Sequence, residues 1–361
     1  MTVDTNPPLN QTVIFEDFYA DAKCDIVWHN PETGECALWR VNDLNTTEAF
    51  LPQFDFDWKF ATGDFNGDGR SDFFWRNQQT GESQLWLMDG TNVVAVKNLF
   101  SLNSDWDLSI GSFNEDLNHD IFWHNRWTGE NVVWLMNGTN ATGFPVTSAT
   151  ESTLEMFAAD WNYKLGDFNG DRNSDIFWHN QQTGENVVWL MHGTVVTEQA
   201  FVENFLLAPT SDWDFLIGDF NGDHNSDIFW RNKRTGENIV WLMNGTKIIA
   251  TSVLPSLDSN WDLSIASFKS NSKNDIFWRN RLTGENVVWL MDGTNATGVS
   301  LPTLPTAWIP YVGSFKGDGS KTTDIFWHNT ETGQNTIWLT NGKSLTGSSL
   351  ATQLSTVLSV A

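Results

Sequence analysis

Aspartate and asparagine alternate in three short loops of this sequence, and their oxygen atoms could hold a hard metal ion. The first loop places Asp64, Asn66 and Asp68 at positions 1, 3 and 5. Arg70 follows at position 7 and Asp72 at position 9. Side-chain oxygens at positions 1, 3, 5 and 9, with a backbone carbonyl at position 7, suit an ion of the size of Ca²⁺. The other two loops repeat the pattern with Asp167, Asn169, Asp171, Asn173 and Asp175, and with Asp219, Asn221, Asp223, Asn225 and Asp227. We therefore expect calcium in each loop.

Two other structures share part of this pattern. An EF-hand begins with the same spacing, but it needs a glutamate at position 12 between two helices. Position 12 is here Trp75, Trp178 or Trp230, inside an apolar run. A solvated turn of Asp and Asn side chains is the simpler alternative. It stays open, although three near-identical copies favour the metal.

Four further loops carry weaker versions of the motif. Two of them retain enough oxygen donors for a weaker site, through Asp17, Asp21 and Asp25 and through Asn114, Asp116 and Asp120. The last two retain only Asn271 and Asp275, and Asp318 and Asp324. We expect no calcium in these last two.

The loops belong to a cassette that recurs seven times at a spacing of roughly fifty residues, which is typical of repeat architectures. In the fifth copy the apolar runs 213–217, 228–231, 238–243 and 247–253 are short and bounded by Gly, Asn and Asp. They predict four β-strands, A to D. Strand B is apolar on both faces, so each sheet must pack between two others. The sequence predicts an all-β fold, a seven-bladed β-propeller with four antiparallel strands per blade.

The repeats also predict the domain organisation. Residues 1–10 form an N-terminal extension, and residues 11–361 form a single propeller. The predicted blades are about 11–57, 58–105, 106–160, 161–212, 213–260, 261–307 and 308–361.

Tryptophan supports this architecture, because 20 of the 21 tryptophans fall at three repeat positions, at the start of strand A and within strands B and C. A periodic aromatic residue on a two-sided sheet is expected in the core between blades. Trp127 is the exception, since it lies at the tip of a B-to-C hairpin, where burial is not expected.

Charge and composition narrow the classes of partner. The formal net charge is -25, and so acidic a surface repels nucleic acid and anionic membranes. No stretch is apolar enough to span a bilayer.

Cys24 and Cys36 would lie too far apart in a hairpin for a disulfide, so free thiols are expected. The N-terminus does not resemble a signal peptide, whereas calcium sites favour an extracellular or cell-surface location.

The cassette Asp-Phe-Asn-Gly-Asp-x-x-x-Asp-Ile-Phe-Trp resembles the FG-GAP or VCBS repeat family. Members of that family include integrin α-subunit propellers and a seven-bladed fungal lectin. The resemblance implies a seven-bladed propeller with calcium in the A-to-B loops, at the Asp and Asn positions already named. It implies that the protein binds sugars or proteins. No sugar-binding motif of the family is specific enough to be assigned to residues of this sequence.

The propeller face opposite the acidic loops is the best place for a ligand. Each strand B ends in His or Arg, which could hold sugar hydroxyls beside a tryptophan or form a structural hydrogen-bonding rim. Trp127 adds an exposed aromatic ring. The candidate ligand-binding residues are therefore His29, Arg76, His124, Trp127, His179, Arg231, Arg279 and His328.

Repeated donors favour a multivalent, lectin-like protein that binds glycans. The alternative is a protein-binding or adhesive scaffold, which would use the apolar D-to-A connections. A local cap over the blades explains these connections equally well; they contain Phe144, Phe157, Phe201, Phe205 and Leu206. No Ser/His/Asp, Cys/His or zinc spacing stands out, so an enzyme is not expected. We expect a monomer.

Overall fold

The structure is a computed structural model that describes residues 12–30, 32–42, 45–53, 55, 57–149, 157–202, 212–316 and 322–340. The regular elements of these residues are all β-strands. None of the described residues forms a helix of the length and apolarity that a membrane crossing requires.

The first four blades contain strands β1 to β17. Blade one comprises β1 (Thr12–Glu16), β2 (Asp25–His29), β3 (Cys36–Asn42) and β4 (Asn45–Leu51). Blade two comprises β5 (Trp58–Gly63), β6 (Asp72–Asn77), β7 (Ser83–Asp89) and β8 (Asn92–Leu99). Blade three comprises β9 (Trp106–Gly111), β10 (Asp120–Asn125), β11 (Asn131–Asn137) and β12 (Asn140–Pro145). The short β13 (Thr147–Ser148) precedes blade four, which comprises β14 (Trp161–Gly166), β15 (Asp175–Asn180), β16 (Asn186–His192) and β17 (Val195–Phe201).

The remaining strands form blades five to seven. Blade five comprises β18 (Trp213–Gly218), β19 (Asp227–Asn232), β20 (Asn238–Asn244) and β21 (Lys247–Leu254). Blade six comprises β22 (Trp261–Ala266), β23 (Asp275–Asn280), β24 (Asn286–Asp292) and β25 (Asn295–Leu301). Blade seven is described for β26 (Trp308–Gly313), β27 (Asp324–Asn329) and β28 (Asn335–Trp338).

Each blade is an antiparallel meander in chain order, and blade four gains β13 as a parallel neighbour of β17. The seven sheets are the blades of a β-propeller, which confirms the predicted fold class. The four strands predicted for the fifth repeat are each present within one residue of their predicted ends. Residues 1–11 and 341–361 lie outside the described residues, as do Phe205 and Leu206.

The chain forms two compact units. The first unit comprises Met1–Phe56, Phe220–Gly222 and Leu257–Ala361, and holds blades one, six and seven. The second comprises Asp57–Asp219 and Asp223–Ser256, and holds blades two to five. In the first unit β1 pairs with β2, so the N-terminal strand completes its own blade.

Within each unit, aromatic side chains fill the space between neighbouring blades. The tryptophans of strands B and C are all buried, as the repeat pattern predicts. Within the second unit Phe177 of blade four lies edge-on to Trp230 of blade five, with ring centroids 5.9 Å apart. Offset and edge-on ring pairs of this kind add to the free energy of burial. The neighbouring blades of each unit are therefore joined mainly by an apolar, aromatic interface.

A reciprocal pair of hydrogen bonds also joins the A-to-B loops of neighbouring blades. The N–H of Ser226 donates to the carbonyl of Asp167 (2.5 Å), and the N–H of Asp167 donates to Oγ of Ser226 (3.0 Å). Ser174 and Ser112 form the same pair between blades three and four. We call this pair of bonds the loop clamp. Each clamp links position 1 of one acidic loop to position 8 of the next.

The loop clamp recurs between the first and last blades, both in the first unit. The N–H of Cys24 donates to the carbonyl of Ser314 (2.5 Å), and the N–H of Ser314 donates to the Cys24 sulfur (3.3 Å). Cys24 and Cys36 are both free thiols, as predicted. Cys24 therefore replaces the serine of the other clamps as a hydrogen-bond acceptor.

Replacing Ser226 with alanine should remove the acceptor of one clamp and leave the N–H of Asp167 unpaired. We expect the free energy of unfolding to fall by about 1 kcal/mol, measured by urea denaturation. Ser256→Ala, at an exposed serine of the same unit, is the matched control and should change little. Equal effects of the two substitutions would contradict a stabilising role for the clamp.

Candidate functional site

The acidic loop of blade two connects β5 to β6 and folds around its first aspartate. The Asp64 carboxylate accepts the N–H groups of Asp68 (3.2 Å) and Gly69 (2.7 Å). Asp68 accepts the N–H of Arg70 (2.9 Å), and Nδ2 of Asn66 donates to Asp68 (3.2 Å). The side chains at positions 1, 3 and 5 are thus all turned toward the loop interior and its backbone.

The second and third intact loops have the same arrangement. Asp167 accepts the N–H of Arg172 (2.8 Å), as Asp219 accepts that of His224 (2.9 Å). Arg172 and His224 have φ angles of 71° and 72°, where blade two has Gly69 at 83°. A left-handed backbone at a non-glycine residue costs about 1 kcal/mol or more, so the loop geometry is maintained against a local preference.

The turn also forms where the predicted ligand set is incomplete. In blade one Asp17 accepts the N–H groups of Asp21 (3.2 Å) and Ala22 (2.7 Å), although Tyr19 occupies position 3. Blade three retains the bond from Asn114 Nδ2 to Asp116 (2.9 Å). The turn therefore does not depend on a complete set of ligands. In blade six Lys273 occupies position 7 of the loop, and its ammonium pairs with Asp292. Asp318 of blade seven lies outside the described residues.

The aspartate at position 9 has a different environment from the other acidic residues. Asp175 is fully buried, and its two oxygens accept the N–H groups of Phe168 and Met191, both at 2.8 Å. Burial raises the pKa of this carboxyl to about 8, against the opposing effect of the two N–H donors. The nearby charges of Asp171 and Asp167 raise it further.

The same buried carboxylate occurs in blades of both units. Burial raises the pKa of Asp72 to about 7, with smaller contributions from Asp68 and Asp64, and raises that of Asp25 to about 7. Each joins the loop to strand C through the same two N–H bonds, as the contacts of Asp72 with Phe65 (3.0 Å) and Met88 (2.8 Å) show. We call this arrangement the aspartate staple.

The loops fit calcium in the chemistry of their donors, because all their ligating atoms would be oxygens and their carboxylates repel one another. Within the described ranges, however, no group of three or more His, Cys, Asp or Glu side chains is close enough to hold a metal ion. The described loops are hydrogen-bonded Asp and Asn turns. Asp64, Asn66, Asp68, the Arg70 carbonyl and Asp72 are the groups that would hold an ion in the first loop.

The strand-end donors lie inside the protein. His29, Arg76, His124, His179, Arg231, Arg279 and His328 are all buried. The guanidinium of Arg76 donates to the carbonyls of Trp106 (2.5 Å) and Asn103 (2.5 Å). It also lies over the ring of Trp123 in the next blade, 4.9 Å from the ring centroid. Arg279 similarly donates to the carbonyls of Pro305 (2.8 Å) and Trp308 (3.0 Å).

The histidines form a related contact. Nδ1 of His179 lies 2.8 Å from Oδ1 of Asn186, whose Nδ2 donates to Gly184. Because Asn186 uses its amide N–H elsewhere, the proton of this bond is assigned to Nδ1 of the histidine. The imidazole ring of His179 lies edge-on to Trp230 of the next blade, with ring centroids 4.8 Å apart. Arg76, Arg279 and His179 therefore bond or pack between blades. All seven strand-end donors are buried, but Arg76 and His124 also line a cavity of the second unit, so a ligand-binding role for these residues stays a prediction.

Trp127 differs from the other candidates. Its side chain is 69% exposed at the tip of the β10–β11 hairpin. The hairpin itself is fixed by Asn125, whose side-chain oxygen accepts the N–H groups of Trp127 (3.0 Å) and Thr128 (2.9 Å). The exposed position predicted for this tryptophan is confirmed.

Trp127 borders a cavity of about 720 Å³ within the second unit. Its walls combine aromatic rings, among them Tyr163 and Phe215, with polar groups such as Asn162 and Ser109. The hydroxyl of Ser109 donates to the Tyr163 oxygen (3.2 Å). A cavity of this size can contain a small ligand.

The sequence hypothesis did not include the inward-facing residues of strand A that line this cavity. These positions vary between repeats that are otherwise nearly identical, as with Lys59 and Asp107 at the second position of the strand. That variation is the sequence signal that could have identified them. Phe157, in the D-to-A connection before blade four, is buried and packs on Trp161, with ring centroids 4.2 Å apart. Phe144 and Phe201 are exposed.

Replacing Asp175 with asparagine should test the aspartate staple. The asparagine amide would place its NH₂ group next to the N–H of Phe168 or Met191, so two buried donors would face each other without an acceptor. We expect a loss of about 2–3 kcal/mol in the free energy of unfolding, measured by urea denaturation without calcium. The control is Asp262→Asn, at an exposed ion pair with Arg281 worth at most about 1 kcal/mol. A loss no larger than that of the control would contradict the staple.

Comparison with known proteins agrees with the fold. No curated protein sequence matches the chain. An Agrocybe aegerita lectin, described by its specific recognition of non-reducing terminal N-acetylglucosamine, is 14% identical with a TM-score of 0.68, over 94% of this chain and 89% of that chain. BBS1N in complex with ARL6DN is 10% identical with a TM-score of 0.54, over 94% of this chain and 96% of that chain. At these identities the likeness concerns the fold.

Family comparison identifies the repeats. The FG-GAP-like repeat matches residues 167–230, and the FG-GAP repeat matches residues 56–88. Both segments contain an acidic A-to-B loop. The chain is thus a seven-bladed β-propeller that carries FG-GAP repeats.

Proposed function

We propose that this protein is a non-catalytic, carbohydrate-binding propeller whose acidic loops hold calcium. The observation that carries the sugar-binding part is the cavity beside Trp127. An exposed aromatic ring, on a hairpin whose backbone is fixed by Asn125, offers a flat apolar surface. The amides, hydroxyls and charged groups behind it can bind sugar hydroxyls. The lectin of similar fold supports this class of ligand.

The charged residues of the cavity favour binding over catalysis. Asp107 pairs with Arg126 (3.3 Å), and Asp214 pairs with Lys233 (3.0 Å). A carboxylate that acts as a general acid or base must reach the reacting group. These two carboxylates are instead occupied by cations at the cavity wall.

Calcium is proposed for the three intact loops because of where the loops lie. Each loop forms part of a clamp or a staple, so an ion that orders the loop would also strengthen the junction between blades. For a site with a Kd near ~0.1 mM at about 1 mM calcium, binding adds about 1.4 kcal/mol of stability. Three such loops would add ~4 kcal/mol, a large part of the stability of a typical domain.

Removal of calcium should therefore lower the melting temperature by several degrees, measured by calorimetry in excess EGTA and after re-addition of calcium. Asp171→Asn should remove roughly one third of this calcium-dependent shift, since it impairs one loop of three. Asp262→Asn, which lies outside the loops, should leave the shift unchanged. A melting curve that is the same with and without EGTA would overturn the calcium proposal.

The multivalent form of the proposal now depends mainly on the exposed hairpin tips, because the strand-end donors are buried and several of them bond between blades. The tips differ from blade to blade, and several are joined to the preceding turn, as Gln182 Nε2 is to Asp160 (2.6 Å). Only the stoichiometry of binding distinguishes several sugar sites from one.

A glycan array, followed by titration calorimetry of the hits, tests sugar binding. We expect selective hits, and we expect Trp127→Ala to reduce their affinity at least tenfold, because the contact between the apolar face of the sugar ring and the flat indole ring is lost. Leu282, 70% exposed, occupies the corresponding tip position of blade six, so Leu282→Ala is the matched control. An array without any hit would refute the lectin proposal.

The alternative function, a protein-binding scaffold, is favoured by exposed apolar residues on the outer strands. Val94 and Val96 on β8, and Ile249 and Val253 on β21, are all more than half exposed. The BBS1N propeller, seen with ARL6DN, gives a precedent for a partner on this fold. This alternative would be favoured if no glycan on the array binds and if a protein partner is captured by the native chain but not after substitution of Val94 or Val96.

A further inference from the structure

Two lysines occupy inward-facing positions of strand A in the cavity beside Trp127. Alternate residues of a strand point to the same side. The second position of strand A is Lys59 in blade two, and the corresponding residues of the next three blades are Asp107, Asn162 and Asp214. The fourth position is lysine only in blade four, as Lys164. Both lysines line the cavity.

The two carboxylates of the cavity form ion pairs with other cations. Asp107 is paired with Arg126, and Asp214 is paired with Lys233. In the described part of the second unit, neither Lys59 nor Lys164 has a carboxylate within ion-pair distance. Among the described residues, the cavity therefore has two ammonium groups without a direct ion-pair partner.

Lys164 is the more informative of the two. It is partly buried, and its ammonium lies 5.5 Å from the centroid of the Phe215 ring. Burial lowers the pKa of this lysine, with Asp214 opposing and Lys233 adding to the effect. A cation removed from water without a paired anion is unfavourable. A ligand carboxylate would supply that anion and recover part of the cost.

The charge of the whole chain restricts the size of the anion. The net charge of -25 repels a polyanion along its length, whereas a single carboxylate experiences chiefly the nearest cations. Four of the cavity residues are Lys or Arg, namely Lys59, Arg76, Arg126 and Lys164. A small monoanion therefore suits this cavity better than a nucleic acid or a sulfated polymer.

We propose that the cavity beside Trp127 binds an acidic sugar, a hexuronate whose carboxylate contacts Lys164 and whose ring lies on Trp127. Asn162 and Ser109 provide amide and hydroxyl groups for the sugar hydroxyls. Lys59, exposed at the wall, attracts the anion toward the cavity. This inference rests on the proposed carbohydrate-binding function and specifies its ligand.

Titration calorimetry of the full chain with glucuronate, glucose and N-acetylglucosamine tests the inference. We expect glucuronate to bind at least tenfold more tightly than glucose, and less tightly as the salt concentration rises. Lys164→Gln should remove this preference, and Lys59→Gln should reduce it. Lys97→Gln, at an exposed lysine of β8, is the matched control and should leave it unchanged. Because Lys164 is partly buried, each variant is first compared with the native chain by thermal melting.

The outcomes separate this inference from the proposed function. If neutral sugars bind and glucuronate binds no better, the acidic-sugar inference is wrong and the lectin proposal survives. If acetate competes as well as glucuronate, the cavity is a simple anion site and the sugar specificity is wrong. If Lys59→Gln and Lys164→Gln both bind glucuronate normally, these lysines do not recognise the carboxylate. If none of the three sugars binds, the acidic-sugar inference is wrong, and the glycan array decides the lectin proposal separately.

Discussion

The buried aspartate of strand B is the interaction on which the rest of the structure depends. In Asp175 and its counterparts, one carboxylate accepts two backbone N–H groups, one from the acidic loop and one from strand C. Burying a carboxylate is costly unless its oxygens are paired. The loop and the strand are therefore held in one mutual geometry, and the same geometry recurs from blade to blade.

This constraint explains why the acidic loop serves two purposes. Its first residue is clamped to the next blade, as Asp167 is to Ser226, and its following phenylalanine is buried. The glycine of the next C-to-D hairpin also donates to the loop, as Gly245 does to the carbonyl of Phe168 (2.7 Å). A change in loop order, including one caused by a metal ion, would thus reach the contact between blades directly.

Much of the fold could be predicted because its determinants are local and periodic. The Asn and Gly residues of the hairpins, the apolar runs of strand B and the spacing of the tryptophans each repeat with the cassette, and together they predicted the strands correctly. The site was less predictable. A histidine or arginine at a strand end has the same local sequence whether it faces solvent or the next blade, so the burial of Arg76 and His179 could not be read from it.

The sequence by itself determined the number of repeats, the strand order within a blade and the oxygen-rich turns, because each of these depends on neighbours within about fifty residues. Only the tertiary structure decided which donors are used between blades and which side chains line the cavity. Lys59 and Lys164 are about a hundred residues apart, and they line one cavity because the packed blades bring their strands together. Their shared environment is a property of that packing, which no single repeat encodes.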